Sequence, residues 1–344
     1  MTKFKKNSLK FLQVGLGSMG KRRVRNLLHN KIPSKNIVGF DLKPDRRKEA
    51  EEKYGIRVCA DFMTAFKEHN PDVLIISTPP DQHSRYYLFA AKHKKHLFVE
   101  ATTVTTGYKE LKKMLDGSFV AAPSCTWRYL PAIKKIKSMI DSGAIGSIQT
   151  LQYHMGQYLP DWHPWEDYRQ VYFAKKNTGA CREMFPFELI WLNDIVQSRV
   201  ERVSGFVRKL SDLDMPADDL YAAVLEYKNK VIGLMNIDVL ARTALRTLRL
   251  VGSKGVLDWD WLNYQIKVFS VATKKWRTIS LRAGGAEKNY VTTEDMYREE
   301  IKHFLDAILG KQPYPYSFAE DEQILNTTYA LEKSSKTGKT YTID

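Results

Sequence analysis

The stretch that decides the fold is residues 9–21, which read Leu-Lys-Phe-Leu-Gln-Val-Gly-Leu-Gly-Ser-Met-Gly-Lys. A short apolar run breaks into glycines spaced Gly-x-Gly-x-x-Gly, and apolar residues at helical spacing follow from Val24. This order predicts a strand, a tight turn and a helix. In such a turn the first glycine permits the bend, the second lets the backbone approach a pyrophosphate, and the third lets the helix pack on the strand. Because a helix N-terminus also favours anions, the stretch predicts a dinucleotide site.

Length and composition limit the class of protein. The 344 residues suffice for two domains, and 43% hydrophobic with 27% charged residues is typical of a soluble globular chain. No apolar run reaches the roughly 18 residues that a membrane helix needs, and no apolar segment of a secretory signal follows the N-terminal lysines. The three cysteines are odd in number and far apart, which argues against a disulfide framework or a zinc knuckle. We therefore expect a cytoplasmic protein with no membrane partner and no metal site.

The formal net charge of +15 has three interpretations. It is compatible with a nucleic-acid partner, with a lysine-rich solvated surface, or with a positive field that concentrates an anionic cofactor or substrate. The basic residues are scattered and no DNA- or RNA-binding module accompanies them. We therefore expect no nucleic-acid partner.

A second sign of a dinucleotide site is Asp41, which ends the apolar strand predicted at residues 36–40. It lies 21 residues beyond Gly20, where a dinucleotide fold places an acid on the ribose hydroxyls. A carboxylate repels a 2′-phosphate, so NAD is favoured, but the nearby Arg46 and Arg47 leave NADP open. The alternative is that Asp41 is only a turn residue ahead of Pro44.

Strands continue to alternate with helices through the first third of the chain. An apolar strand at 72–76 leads into Ser77-Thr78-Pro79-Pro80-Asp81-Gln82-His83, then a helix, then a strand at 96–99 that ends at Glu100. This alternation predicts a doubly wound parallel sheet with its ligand at the carboxyl ends of the strands. The predicted cofactor-binding residues are Gly15, Gly17, Ser18, Met19, Gly20, Asp41, Ser77, Thr78, Pro79, His83 and Glu100.

Several linked motifs resemble one family. They are Gly-Leu-Gly-Ser-Met-Gly, the acid after the second strand, Ser77 to His83 after the fourth, the strand ending in Glu100, residues 127–131 opening a helix that ends at 141–146, and the helix at 297–309. Together they resemble the glucose-fructose oxidoreductase, inositol dehydrogenase and MocA (Gfo/Idh/MocA) family over about residues 10–343. The resemblance implies an α/β Rossmann-type domain at 1–125 and an α+β domain with a large, mostly antiparallel sheet at 126–344. The open face of that sheet often builds oligomers, which implies a homodimer or homotetramer.

The sequence supports the second domain independently. Eight strand-like runs separated by turn residues lie between 147 and 281, helical patterns return at 292–309 and 318–335, and a short strand-like run lies at 339–343. The C-terminal helices are able to pack back on the first domain. Both faces of the run 231–237 are largely apolar, which predicts a covered sheet.

The chain departs from the family where proton transfer is expected. The resemblance implies a lysine in Glu-Lys-Pro after the fifth strand, and an aspartate and a histidine on a helix of the second domain. Here the chain has Ala101 after Glu100, Met184 in the aspartate position and Phe187 in the histidine position. Three groups that carry protons are thus replaced by side chains that do not.

Three residues are candidates for acid–base catalysis. Glu183 lies one position from the missing aspartate, and the alternative is a carboxylate that interacts with the helix dipole. His154 lies on a predicted strand, with a structural histidine as the alternative. Tyr129 is a possible proton donor, with core packing as the alternative.

Residues 158–169 combine aromatic and charged side chains with prolines, which indicates a shaped loop. Aromatic faces and charged partners suit a sugar ring and its hydroxyls. A structural loop or a dimer contact is the alternative. The predicted substrate-binding residues are Arg128, Trp162, His163, Tyr168, Arg169, Arg182 and Glu188.

The sequence therefore predicts an NAD(P)-dependent oxidoreductase that acts on a sugar or an activated-sugar derivative such as a nucleotide sugar. Hydride transfer at nicotinamide C4 would be coupled to an atypical proton relay. Two alternatives stay open. One is a nucleotide- or sugar-binding subunit that lost the reaction, and the other is a non-redox enzyme that uses a tightly held NAD.

Overall fold

A computed structural model describes residues 6–162, 167–282, 284–285 and 293–343. The chain divides into two compact units, Met1–Thr126 with Glu294–Glu322, and Trp127–Thr293 with Gln323–Asp344. The first division falls one residue after the predicted boundary at 125. The sequence grouped residues 294–322 with the second domain, with C-terminal helices able to pack back on the first, and these residues belong to the first unit.

The first unit is built on a six-stranded sheet. Its strands are β1 (Phe11–Val14), β2 (Ile37–Phe40), β3 (Arg57–Cys59), β4 (Val73–Ile76), β5 (His96–Val99) and β6 (Ala121–Pro123). All are parallel, in the order β3-β2-β1-β4-β5-β6. Every residue of β1, β2 and β4 is buried, as expected when helices cover both faces. This strand order is that of a Rossmann fold, so the predicted doubly wound sheet is confirmed.

Helices alternate with the strands of the first unit, as the sequence predicts, and α5 (Tyr108–Met114) is a helix that the sequence did not predict. They are α1 (Ser18–His29), α2 (Pro44–Tyr54), α3 (Phe62–His69), α4 (His83–Lys92), α5 (Tyr108–Met114), α6 (Pro131–Asp141), α7 (Cys181–Val196), α8 (Asp295–Ile308) and α9 (Phe318–Thr337). Helix α8 belongs to the first unit because its buried side chains, such as Ile301 and Phe304, share a core with Phe98 and with Val24 of α1. None of the helices described here is long and apolar enough to cross a membrane.

The second unit contains a nine-stranded sheet. Its strands are β7 (Ile148–Gly156), β8 (Val200–Arg208), β9 (Leu220–Tyr227), β10 (Ile232–Asp238), β11 (Leu245–Gly252), β12 (Gly255–Asp260), β13 (Gln265–Ser270), β14 (Lys275–Ser280) and β15 (Tyr341–Thr342). The order is β14-β13-β12-β11-β7-β10-β9-β8-β15. Neighbours are antiparallel except β7 and β10, which are parallel. The large, mostly antiparallel sheet is thus confirmed.

The two faces of the nine-stranded sheet differ. Side chains such as Leu151 and Tyr153 are buried on the face that packs against α7. Apolar side chains stand exposed on the other face, including Phe206 at 61% and Leu234 at 47% exposure. The sequence predicted apolar residues on both faces, and this exposed face carries the second set.

A buried carboxylate lies in the first unit. Asp321 accepts hydrogen bonds from the hydroxyls of Tyr108 at 2.5 Å and Tyr316 at 2.7 Å. Burial raises the pKa of Asp321 to about 6 even though both hydroxyls oppose this. The folded protein therefore holds the proton of Asp321 more tightly than the unfolded chain does.

This raised pKa predicts a pH dependence of stability. The contribution of Asp321 is fully present below the ordinary carboxyl pKa of about 4 and is lost as the pH rises through about 6. Between about pH 4 and about pH 7 we expect the wild type to lose on the order of 2 kcal/mol of unfolding free energy relative to Asp321→Asn. Urea unfolding of both proteins across this range measures the difference. If the unfolding free energies of the two proteins changed with pH in the same way, the prediction would be contradicted.

Candidate functional site

The glycine turn after β1 has the close backbone approaches that the sequence predicts. Gly15 has a φ of +89°, and a Cβ there would lie 2.5 Å from the carbonyl oxygen of Ser77. A Cβ at Gly20 would overlap the carbonyl oxygen of Gly15. These two positions therefore require glycine for the turn itself and for the packing of α1 on it.

Gly17 is different, because nothing in its own backbone neighbourhood excludes a side chain. Its φ of −65° and ψ of −168° suit any residue, and the atom nearest to a Cβ would be Nη1 of Arg46 at 3.4 Å. Gly17 is the N-cap of α1 and makes no side-chain cap bond, and Ser18 and Met19 form the first turn of that helix. A glycine here leaves room for an anion to approach the helix N-terminus, so the turn fits a dinucleotide pyrophosphate.

Asp41 connects the end of β2 to the glycine turn. One carboxylate oxygen accepts the N–H of Leu16 at 2.7 Å, and the other accepts the N–H of Lys43 at 2.8 Å. Arg46 has a guanidinium nitrogen 3.7 Å from this carboxylate, whereas Arg47 donates to the carbonyl oxygen of Asp41. Asp41 is thus more than a local turn residue, and it lies at the carboxyl edge of the sheet where ribose hydroxyls bind.

The segment after β4 is held in place by its own side chains. Nε2 of His83 lies 2.7 Å from the carbonyl oxygen of Thr78 and donates to it. Burial lowers the pKa of His83 to about 4, so the ring is neutral at physiological pH. Pro79 lies between these two residues and begins no regular element. His83 therefore shapes this segment and does not project from it.

Two buried polar atoms at this edge fit a bound ligand. Oγ1 of Thr78 and Oε1 of Gln13 have no hydrogen-bond partner within the described part of the chain. Buried polar groups in native proteins are nearly always hydrogen-bonded. Ser77 directly precedes Thr78, and its hydroxyl accepts from Nε2 of Gln13 at 3.1 Å and donates to Glu100 at 3.3 Å.

Glu100, at the end of β5, forms a bidentate ion pair with Arg23 of α1. The nitrogen–oxygen distances are 2.6 and 2.9 Å. Arg23 was not among the predicted site residues. It lies in the run Lys21-Arg22-Arg23-Val24-Arg25, which resembles an exposed basic helix face in sequence.

In the second unit, α7 begins at a sharp turn. A Cβ at Gly179 would overlap the backbone of Phe173, which fixes the start of α7 against the segment before it. Ala180 has a φ of +49° and a ψ of −133°, and it is fully buried. This conformation is strained for any residue with a Cβ, and such strain is concentrated near functional sites.

The strain predicts that Ala180→Gly stabilises the protein. Removing the Cβ relieves the strain, and that gain exceeds the added entropy of the unfolded glycine, so we expect about 1 kcal/mol more unfolding free energy. Ala330→Gly, in the interior of α9, is the control and should cost about 1 kcal/mol. Urea unfolding measures the unfolding free energy of both variants and of the wild type. A loss of stability in Ala180→Gly would show that Ala180 is unstrained.

Glu183, in the first turn of α7, is nearly buried at 9% exposure. One of its carboxylate oxygens accepts the hydroxyl of Tyr172 at 2.9 Å. Met184 and Phe187 are half-buried, and Phe187 packs edge-on against Trp127 with 6.4 Å between ring centroids. Glu183 directly precedes Met184, and Glu188 directly follows Phe187.

Tyr172 was not predicted as a site residue. It belongs to a short 3-10 helix, Tyr172–Ala174, just beyond the aromatic segment that the sequence singled out. Its ring packs on Phe173 with 4.3 Å between centroids, and Phe173 meets Trp162 at 5.0 Å. The structure thus brings predicted Trp162 and Glu183 together through Phe173 and Tyr172.

Two predicted substrate-binding residues form hydrogen bonds and ion pairs with other side chains of the second unit. Glu188 has no solvent exposure and accepts from Tyr153, Trp191 and Arg246, each at 2.6 Å. Arg182 pairs with Glu332 at 2.6 Å, and Glu332 also accepts from Tyr221. A buried charge needs partners of this kind. Both charges are therefore paired with other side chains of the same unit, and substrate binding by Glu188 and Arg182 stays a prediction.

The other predicted residues lie in different places. His154 lies on the exposed face of β7 and bonds Asp238 at 2.7 Å, whereas its neighbour Tyr153 points to the opposite face, toward Glu188. The structure therefore does not place His154 beside Glu183. Tyr129 is buried at 6% exposure, and Arg128 donates to the carbonyl oxygen of Ile190 in α7 at 3.1 Å.

Within the aromatic segment 158–169, Tyr168 and Arg169 bond to different partners. Tyr168 accepts the N–H of Asp214 at 3.0 Å, and Arg169 pairs with Asp167 at 2.8 Å on the surface. His163 lies outside the described residues. Among those that are described, no group of His, Cys, Asp and Glu side chains is arranged to hold a metal ion.

Two protein-family models match this chain, one in each of the two sheet-containing units. A family model described as an oxidoreductase family with an NAD-binding Rossmann fold matches residues 9–117. The model of the Gfo/Idh/MocA C-terminal domain matches residues 133–258. Together the two models cover more than half of the chain.

Individual relatives span nearly the whole chain. A myo-inositol 2-dehydrogenase of Thermotoga maritima is 24% identical over 336 residues, which is 93% of this chain and 94% of that protein. An Agrobacterium radiobacter oxidoreductase, solved with NAD+, L-tartaric acid and magnesium, is similar in structure with a TM-score of 0.85 at 16% identity, covering 97% of this chain and 98% of that one. A levoglucosan dehydrogenase solved with NADH and levoglucosan has a TM-score of 0.82 at 18% identity, covering 97% and 99%.

The glycine turn, the Rossmann strand order and the matches to both domain models lead to one assignment. NAD is the cofactor of this family, and the turn around Gly17 fits it. The chain belongs to the Gfo/Idh/MocA family of NAD-binding oxidoreductases.

Proposed function

We propose that this protein is an NAD-dependent dehydrogenase of a sugar or an activated-sugar derivative, with Glu183 as its acid–base group. The observation that carries the proposal is that the nearly buried Glu183, at the start of α7, accepts a hydrogen bond from Tyr172. It supplies a carboxylate next to Met184 and Phe187, where the resemblance implies proton-carrying groups that this chain lacks.

The proposed reaction removes a hydride and a proton from one carbinol group. When bound, NAD accepts the hydride at nicotinamide C4. Glu183 accepts the hydroxyl proton as the carbon–oxygen double bond forms, and Tyr172 holds the carboxylate in position by donating to its other side. A positioned general base of this kind contributes roughly 10²- to 10⁴-fold to a rate.

The substrate class is inferred from two sources. Relatives are named for inositol and levoglucosan, which are polyhydroxylated rings. Around Glu183 the rings of Tyr172, Phe173 and Trp162 provide aromatic surface, and such surface suits the apolar face of a sugar. Both observations support a cyclic polyol or a sugar as the substrate. A nucleotide-activated sugar is a more specific member of this class.

A second function has a specific observation in its favour. Half-buried Met184 and Phe187, with Trp127 against the latter, form an apolar surface that transfers no proton. A subunit that binds nucleotide and sugar without turnover would tolerate this surface. Catalytic turnover in the experiment below would exclude that function.

The test begins with the purified protein. Denaturation followed by mass analysis shows whether NAD or NADP is carried, and a panel of sugars, inositols and nucleotide sugars is then assayed for a change in reduced-nicotinamide absorbance. We expect NAD-dependent turnover of at least one cyclic polyol or sugar. Dinucleotide binding with no turnover across the panel would favour the binding subunit, and turnover only of non-carbohydrate alcohols would contradict the substrate class.

We further propose that the exposed face of the nine-stranded sheet forms a homodimer or homotetramer. The supporting feature is a row of exposed apolar side chains, namely Phe206, Val224, Ile232 and Leu234. Exposed apolar patches of this kind mark interaction surfaces. Light scattering of the purified protein measures the oligomeric state, and a monomer at all concentrations would contradict the proposal.

A further inference from the structure

Arg23 is a fully buried cation in the first unit, placed between two carboxylates. Its Nε and Nη2 meet Glu100 at 2.6 and 2.9 Å, and its Nη1 meets Glu300 at 2.8 Å. Burial alone would lower the pKa of Arg23, but Glu100 and Glu300 raise it above its ordinary value. The guanidinium is therefore charged at every pH at which the protein is folded.

The two carboxylates have different surroundings. Glu300 has no exposure and also accepts the N–H of Cys125 and the hydroxyl of Thr126, each at 2.6 Å. The side chain of Glu100 is 13% exposed, and its further partner is the hydroxyl of Ser77 at 3.3 Å. Glu300 is thus an anchor inside the unit, while Glu100 reaches the surface.

The surface that Glu100 reaches is the edge where the cofactor binds. Glu100 follows β5 and touches Ser77, which follows β4, and the N–H of Ser77 donates to Val14 at the end of β1 at 2.8 Å. The glycine turn begins directly after Val14. Ligands of open parallel sheets bind at these carboxyl ends.

The half of the dinucleotide that reaches Glu100 follows from the strand order. Asp41, at the end of β2, lies on one side of β1, where a Rossmann fold holds the adenosine ribose. The glycine turn after β1 takes the pyrophosphate. The other half of the molecule, with the nicotinamide, then falls on the side of β4 and β5, which is the side of Glu100.

We propose that Arg23 is a positioning residue for the cofactor: it holds the Glu100 carboxylate in one orientation at the nicotinamide side of the site. The proposal rests on NAD binding at the glycine turn. Of the two carboxylates around Arg23, Glu100 is the one that reaches this side of the site, so its negative charge acts on the nicotinamide ring from the shorter distance. A fixed negative charge on this side favours NAD+, whose ring is cationic, over NADH, whose ring is neutral.

Glu100→Gln and Glu300→Gln form a matched pair around the same guanidinium. We expect Glu100→Gln to raise the ratio of the NAD+ Kd to the NADH Kd by about tenfold, which corresponds to about 1.4 kcal/mol. Glu300→Gln should lower the thermal midpoint, because it weakens a fully buried set of hydrogen bonds, and leave that ratio within about twofold of wild type. Fluorescence titration with NAD+ and NADH provides both constants without an activity assay.

Variants of Arg23 show whether cofactor binding depends on the charge of the Arg23 side chain or on its bidentate contact with Glu100. Arg23→Lys keeps the charge but loses the bidentate fork, so we expect both ligands to bind within about fivefold of wild type. Arg23→Met removes the charge and should weaken both by at least about tenfold. If Arg23→Met does not fold, the Glu100 and Glu300 pair decides the question.

The outcomes distinguish this proposal from the cofactor assignment. If the wild type binds neither ligand, the cofactor assignment fails and the proposal falls with it. If the wild type binds both and Glu100→Gln leaves their ratio unchanged, or Glu300→Gln shifts it equally, only the role of Arg23 is overturned. A ratio shift confined to Glu100→Gln supports it.

Discussion

Gly17→Ala is expected to remove NADH binding while the protein stays folded. The backbone at Gly17 accepts alanine, and the new methyl would meet only the tip of the Arg46 side chain at 3.4 Å. It would stand in the space through which a pyrophosphate reaches the start of α1. We expect the Kd for NADH to rise by at least about 30-fold, roughly 2 kcal/mol, with a thermal midpoint within a few degrees of wild type. Fluorescence titration and a thermal melt measure the two effects.

Gly20→Ala is the control for a structural effect. Its Cβ would overlap the carbonyl oxygen of Gly15, a backbone atom that has no rotamer to change. This variant should lose about 3 kcal/mol or more of unfolding free energy together with cofactor binding. If Gly17→Ala instead bound NADH as the wild type does, the turn would not be the pyrophosphate site.

The second large effect is expected at Glu183. Glu183→Gln keeps the size of the side chain and its contact with Tyr172 but cannot accept a proton from substrate. We expect kcat to fall by roughly 10²- to 10⁴-fold, with NADH affinity unchanged because the predicted cofactor contacts come from the first unit. Steady-state kinetics with an active substrate from the panel, alongside NADH titration, measure this.

Matched variants sharpen the test of Glu183. Glu201→Gln makes the same change on β8, at a side chain that is 38% exposed, and should turn over normally. Tyr172→Phe should lower kcat less than Glu183→Gln does and should move the pH profile, because the carboxylate loses a donor that stabilises its charge. Normal kcat in Glu183→Gln would remove this residue from the mechanism.

The first unit was largely predictable because its signals are local. A strand, a glycine turn and a helix lie within 20 residues of one another, and the acid after β2 follows at a fixed spacing. Strand β6 was missed, since Ala-Ala-Pro has little strand propensity. The sequence left the place of α8 open, because it depends on Ile301 and Phe304 meeting a core made by distant residues.

The site in the second unit was less predictable, because buried structural charges and functional charges look alike in sequence. Glu188 and Glu183 lie on the same helix, yet Glu188 is paired with Arg246, 58 residues away. Arg23 was not predicted as a buried residue, because a run of basic residues in sequence indicates solvent exposure. Alternation along β7 separates His154 from Tyr153, but which face is buried depends on what packs against the strand.

We expect NAD to bind at the glycine turn of the first unit. Fluorescence titration of the purified protein with NADH tests it most directly. We expect saturable binding that NAD+ displaces and that Gly17→Ala weakens by at least about 30-fold. A folded wild-type protein that gives no saturable signal with NADH and carries no dinucleotide after purification would contradict it.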